Sequence, residues 1–116
     1  MVYAIWIKCQ AATVASIAGL YRLTKETAFL YECYGLLGLF VLFFIVGATG
    51  LQMLVLGGIG LLIFALEALN TAIEVIVDHI SPEWSKMAKQ AKDLGSFAVG
   101  CALLLLLVYS IYVCCR

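Results

Sequence analysis

Four polar side chains recur on one otherwise apolar segment, EALNTAIEVIVD, from Glu67 to Asp78. At about 100° per residue, Glu67, Asn70, Glu74 and Asp78 share roughly an 80° arc of a helix. Leu66, Leu69, Ile73, Ile76 and Val77 cover its other faces. A solvated helix face is the ordinary reading of such charges, but it fits poorly where the neighbours on every turn are apolar. A polar cluster tying helices together is a second reading. The third acid weighs against it, because carboxylates repel one another unless a cation joins them. Ionisable groups at membrane depth are costly and face a bundle interior or a wet cavity. Glu67 and Glu74 are two turns apart, about 10 Å along the axis, too far to share a proton and far enough for separate roles. The deeper Glu67 can meet a lipid hydroxyl, and the shallower Glu74 can hold a magnesium ion. Mg²⁺ commonly uses one or two carboxylates plus nucleotide phosphates. Phosphoryl transfer needs little beyond positioning, charge neutralisation and a base for the hydroxyl.

Other chemistry-bearing residues flank this stripe. Glu26 and Glu32 lie where the chain enters its first long apolar stretch, and either can supply a second carboxylate to the metal. Lys92 and Asp93 stand where the last apolar stretch begins; Lys92 suits a phosphate contact or a snorkelling anchor. Gly57, Gly58 and Gly60 are followed by no Lys, so they read as close helix packing rather than a phosphate loop. His79 is the only histidine, which excludes a Ser-His-Asp set. The cysteines, Cys9, Cys33, Cys101, Cys114 and Cys115, form no CxxC pair and read as free thiols.

Positioning these groups requires a membrane. Of the 116 residues 66% are hydrophobic, with 7 basic and 7 acidic residues and no net charge. A short water-soluble domain cannot hide that much apolar surface, and the balanced charge suggests no nucleic-acid partner. The expected architecture is all-α: three transmembrane helices plus an N-terminal amphipathic surface helix, in one domain covering residues 1–116. The surface helix is placed at about 2–24 and the spans at about 28–47, 51–78 and 94–113. The first 25 residues lack the layout of a signal peptide and read as mature protein. GATG at Gly47–Gly50 is the break between the first two spans. HISPEWSKMAKQAK, residues 79–92, is expected to be a polar connection, with Ser81 capping a new helix that has Pro82 at its first position. Lys8, Arg22, Lys25, Lys86, Lys89 and Lys92 fall on one side of the spans and Arg116 on the other. The positive-inside rule then places the N-terminus and the 79–92 loop in the cytoplasm, where ATP is available.

The motif EALNTAIEVIVD, followed by KDLGSFAV from Lys92, resembles the prokaryotic diacylglycerol kinase family. Glu67, Asn70, Thr71, Ala72, Ile73, Glu74, Val77 and Asp78 carry the match. ETAFLYE, Glu26 to Glu32, looks like the family's entry into its first span. The resemblance implies a multi-pass homotrimer in the bacterial inner membrane, with sites shared between subunits. It implies ATP-dependent, Mg²⁺-assisted phosphorylation of a lipid alcohol. Glu67 is then the base beside the lipid substrate, and Glu26 and Glu74 hold metal and nucleotide. Glu83, Lys92 and Asp93 contact the nucleotide, Ser96 contacts the lipid, and Asn70 and Asp78 support. Lys8 stands where the family favours Arg, and Ala15 and Ile17 fill positions usually aromatic, so the resemblance assigns no particular nucleotide contact within the first 20 residues. KDLGS looks more like the diacylglycerol branch than the undecaprenol branch, which tends to have Ala there. Undecaprenol is the alternative substrate. A non-enzymatic small membrane subunit or proton relay is the alternative of a different class; a relay should need acids across the whole membrane, and the far halves of the helices lack them.

Overall fold

A computed structural model describes residues 1–116. The chain forms four helices: α1 (Val2–Leu23), α2 (Thr27–Ile45), α3 (Gly50–Ile80) and α4 (Lys86–Cys115). All four are long and apolar enough to cross a membrane.

The helix boundaries follow from local chemistry. Glu26 is extended, at φ −85° and ψ 126°, and starts α2. At the other end of α2, Gly47 adopts a left-handed φ of 72°. That conformation lets the Gly47 N–H donate to the Phe44 carbonyl at 3.2 Å and the Ala48 N–H to the Phe43 carbonyl at 2.8 Å. This paired closure satisfies carbonyls that the helix end would otherwise leave bare in lipid. Thr49 then opens α3 with a reciprocal cap: its hydroxyl accepts from the Gln52 N–H, and the Gln52 side chain accepts from the Thr49 N–H at 2.8 Å. Stop and start signals are therefore back to back.

The polar connection between α3 and α4 is shorter than the sequence suggests. Ser81 does not cap α4. It closes α3, with φ −130° and ψ 74°, because the residue before a proline is pushed out of the helical region. The Ser81 hydroxyl donates to the Glu83 carbonyl at 3.1 Å. Ser85 is the cap instead, accepting from the Ala88 N–H at 3.1 Å. The Lys86–Lys92 segment is thus the first two turns of a 30-residue helix rather than loop.

α3 and α4 form the central antiparallel pair. Ile59 and Ile63 of α3 pack on Ala102 of α4, and the Tyr109 hydroxyl donates to the Gln52 carbonyl at 3.0 Å. α2 lies alongside, joined by Phe43, Leu56 and Val113 in one cluster and by Phe29 against Phe64, ring centroids 4.9 Å apart. Only 16 of 116 residues are buried. The outer face is apolar, with Phe44, Ile45, Leu51 and Leu61 open, as suits helices whose surroundings are hydrocarbon or further helices rather than water.

The molecule measures 48 × 47 × 22 Å. α3 accounts for one long dimension, about 46 Å. Three adjacent helices fill only about 30 Å across at ordinary spacing. The second long dimension must come from α1, about 33 Å long and laid out away from the bundle. Leu23 is its only buried residue. Its last turn borders a 470 Å³ hollow whose other wall is Ala68, Thr71 and Ala72 of α3.

Candidate active site

One end of the bundle collects the start of α2, the end of α3 and the start of α4. Two groups of polar residues meet there.

The first group lies on α3. Glu67 is 6% exposed and Asn70 8%, so both are inside the protein and not merely in lipid. The Asn70 amide donates to Glu74 Oε1 at 3.2 Å, which fixes the shallower carboxylate. Its own Oδ1 is buried with no hydrogen-bond partner. Buried polar atoms are nearly always satisfied, so this oxygen is an acceptor left free at the site. α4 comes close enough to touch it because residue 95 is glycine: a Cβ there would stand 2.3 Å from Asn70 Oδ1.

Further carboxylates approach from the neighbouring segments. Glu74 and Glu26 lie within electrostatic reach of Glu67, and Glu67 within reach of Glu32. Glu32 also has a buried oxygen without a partner. The Glu26 side chain makes no cap to its own helix; it accepts from the Arg22 guanidinium one turn earlier. The sequence expected a metal held by Glu74 with Glu26 or Glu32; the structure relates each of these three acids electrostatically to Glu67. The residues fit a hard divalent cation by donor chemistry. They offer carboxylates and a neutral amide oxygen, with no soft ligand among them. No three of the chain's acids, Cys or His form a ready cage, and Mg²⁺ bound through phosphates needs only one or two protein carboxylates.

The second group surrounds the Ser81–Ser85 turn. A cavity of about 330 Å³ is lined there by Asp78, Glu83, Trp84, Lys89, Lys92 and Asp93, among others. Lys89 pairs with Asp93 at 2.6 Å and Lys92 with Asp78. The structure therefore gathers Glu83, Lys92, Asp93 and Asp78 at one cavity, while Asn70 and Glu74 are joined by a hydrogen bond on α3 and Glu74 and Glu26 lie within electrostatic reach of Glu67. Ser96 belongs to neither group: it is exposed, on α4, and does not line the cavity. Sequence reasoning missed the Ser85 cap and the two ion pairs that hold Arg22 and Lys92. The Arg22–Glu26 pair had a readable signal in its four-residue spacing.

Membrane-length helices, one of them carrying the buried carboxylate Glu67, with a polar, lysine-bearing cavity at one end, define a helical membrane protein with a candidate site for charged ligands. The model of the prokaryotic diacylglycerol kinase family matches residues 14–114. A diacylglycerol kinase from a Sinorhizobium species is 48% identical over 103 residues, covering 89% of this chain and 75% of the relative. The Haemophilus influenzae diacylglycerol kinase is 40% identical over 93 residues, 79% of each chain. That of Escherichia coli K12 is 40% identical over 48 residues, 41% of this chain and 39% of the relative. The chain belongs to the prokaryotic diacylglycerol kinase family and is an enzyme, a membrane lipid kinase.

Proposed function

We propose that this protein transfers the γ-phosphoryl group of ATP to the free hydroxyl of diacylglycerol, forming phosphatidic acid at the cytoplasmic face of the inner membrane. The observation that carries the reading is Glu67: a carboxylate 6% exposed on a membrane-length helix, with Asn70-bound Glu74 one step nearer the polar cavity.

Glu67 is the general base. It takes the proton of the lipid hydroxyl as the oxygen attacks the γ-phosphorus, and the bond to the bridging oxygen of ADP breaks. Glu26 and Glu74 would hold Mg²⁺, which would supply charge neutralisation for the nucleotide phosphates. Asn70 fixes Glu74 through its amide. Glu83, Lys92 and Asp93 bind the nucleotide at the 330 Å³ cavity. Glu67 lies about 16 Å along α3 from Asp78 at that cavity, a step for the ribose and triphosphate to bridge. Ser96, open on α4, meets the lipid.

The chain acts as a single domain with α1 as a surface helix and α2–α4 as spans. The outlying position of α1 supports that arrangement. So does the basic end formed by Arg22, Lys25, Lys86, Lys89 and Lys92, which by the positive-inside rule is cytoplasmic. The protein works as a homotrimer with sites between subunits; the open apolar faces of α2 and α3 leave room for such neighbours.

The test is phosphate transfer by purified protein in mixed micelles, from labelled MgATP to diacylglycerol and, in parallel, to undecaprenol. Transfer to diacylglycerol is expected. Faster transfer to undecaprenol reassigns the substrate, and no transfer to either by folded protein overturns the reading.

A further inference from the structure

Lys92 and Asp78 face each other across the Ser81–Ser85 turn and form the one ion pair that joins α3 to α4. We propose that Asp78 is a positioning residue for the nucleotide: its carboxylate turns the Lys92 ammonium into the cavity and holds it there for the phosphates. The inference rests on the reading of Lys92 as a nucleotide contact.

Lysine at the point where a helix enters the membrane ordinarily snorkels outward to water and headgroups. Its four-carbon stem is flexible, and fixing it costs much rotamer freedom when a ligand must do the fixing. Here Asp78 does so beforehand. The Lys92 contact is to Asp78 Oδ1, and an ammonium has three donors, so two remain for phosphate oxygens. Both residues line the same cavity. The other lysine of that wall, Lys89, is already held one turn away by Asp93 at 2.6 Å. Lys92 is therefore the lysine whose partner comes from the opposite helix.

A purely structural role is a poor account of the pair. Asp78 is 64% and Lys92 37% exposed, and exposed pairs add little to stability. α3 and α4 are in any case held together by Ile59, Ile63 and Ala102 along their length.

The experiment is a double-mutant cycle on the full-length enzyme, Asp78→Ala, Lys92→Ala and both, with KM for MgATP, kcat and melting temperature measured for each. Asp78→Ala is expected to raise KM about two- to fivefold, the scale of an exposed ion pair, and to change kcat less. Lys92→Ala should raise KM further, and the double variant should match Lys92→Ala alone, because Asp78 acts through Lys92. Asp78→Asn should fall between, since its amide oxygen still accepts from the ammonium. Additive effects overturn the inference. So does an Asp78→Ala enzyme that loses melting temperature with KM unmoved, or one whose KM falls. If Lys92→Ala leaves KM unchanged, the nucleotide reading of Lys92 fails and takes the inference with it. If Lys92→Ala raises KM and Asp78→Ala does not, the inference fails alone.

Discussion

Gly95 of α4 lies against Asn70 of α3 so closely that a Cβ on it would stand 2.3 Å from Asn70 Oδ1. The contact sets how near the two helices come at the level of the site. It also restricts Asn70, whose amide must point to Glu74. An alanine at 95 forces a choice. Either α4 moves away, or the Asn70 side chain swings and drops Glu74. Gly95→Ala should cost about 1–3 kcal/mol of stability, the usual range for overpacking. It should also lower kcat, read by melting and steady-state assays. Wild-type kinetics in Gly95→Ala would show that Asn70 need not hold Glu74.

Glu67→Gln preserves shape and removes the proposed base. Turnover should fall by about 10²–10⁴-fold, the usual contribution of a general base. MgATP binding, followed by a nucleotide-dependent thermal shift, should persist, because Glu67 lies two turns deeper than Glu74. Retained turnover removes Glu67 from the base role.

The acidic stripe was legible in the sequence because a helix fixes which residues share a face, whatever packs around it. The GATG break was legible for a similar reason: only a turn could divide so long an apolar run. The start of α4 was not. Lys86–Lys92 looks like loop by polarity, yet Lys, Met, Ala and Gln are all good helix formers, and Ser85 caps them. Polarity marks where a segment meets water, which is a different question from whether it is helical. The Asp78–Lys92 pair was hidden because it depends on the length and path of the intervening turn. The place of Gly95 was hidden because it depends on the register of α4 on α3. Both are tertiary facts with no local signal.

At the far end of the bundle, Gly47 holds φ 72°, and its carbonyl accepts from Arg116 at 3.0 Å. Alanine resists that left-handed conformation by roughly 1–2 kcal/mol. Gly47→Ala should lower the melting temperature while leaving KM for MgATP near wild type, because the turn is remote from the cavity. Gly47→Asn should melt higher than Gly47→Ala, since asparagine tolerates this conformation better. Equal melting of the two variants would show that the backbone there is unstrained.

Glu26 stands at the join of α1 and α2, outside the stripe, and carries a prediction separable from that for Glu67. Its carboxylate is held by Arg22 and lies within electrostatic reach of Glu67. If it shares the metal with Glu74, Glu26→Gln should raise the Mg²⁺ concentration needed for half-maximal activity. The rise should be at least roughly tenfold, the loss that even a change behind the ligands brings. Saturating Mg²⁺ should recover part of kcat, whereas no amount should rescue Glu67→Gln. Arg22→Gln offers the converse check. It frees Glu26 from its ion pair and leaves the carboxylate in place, so the Mg²⁺ requirement should fall or stay constant. A Mg²⁺ requirement that rises in Arg22→Gln and is unmoved in Glu26→Gln would give the role to the guanidinium instead and leave Glu74 to bind the metal without Glu26.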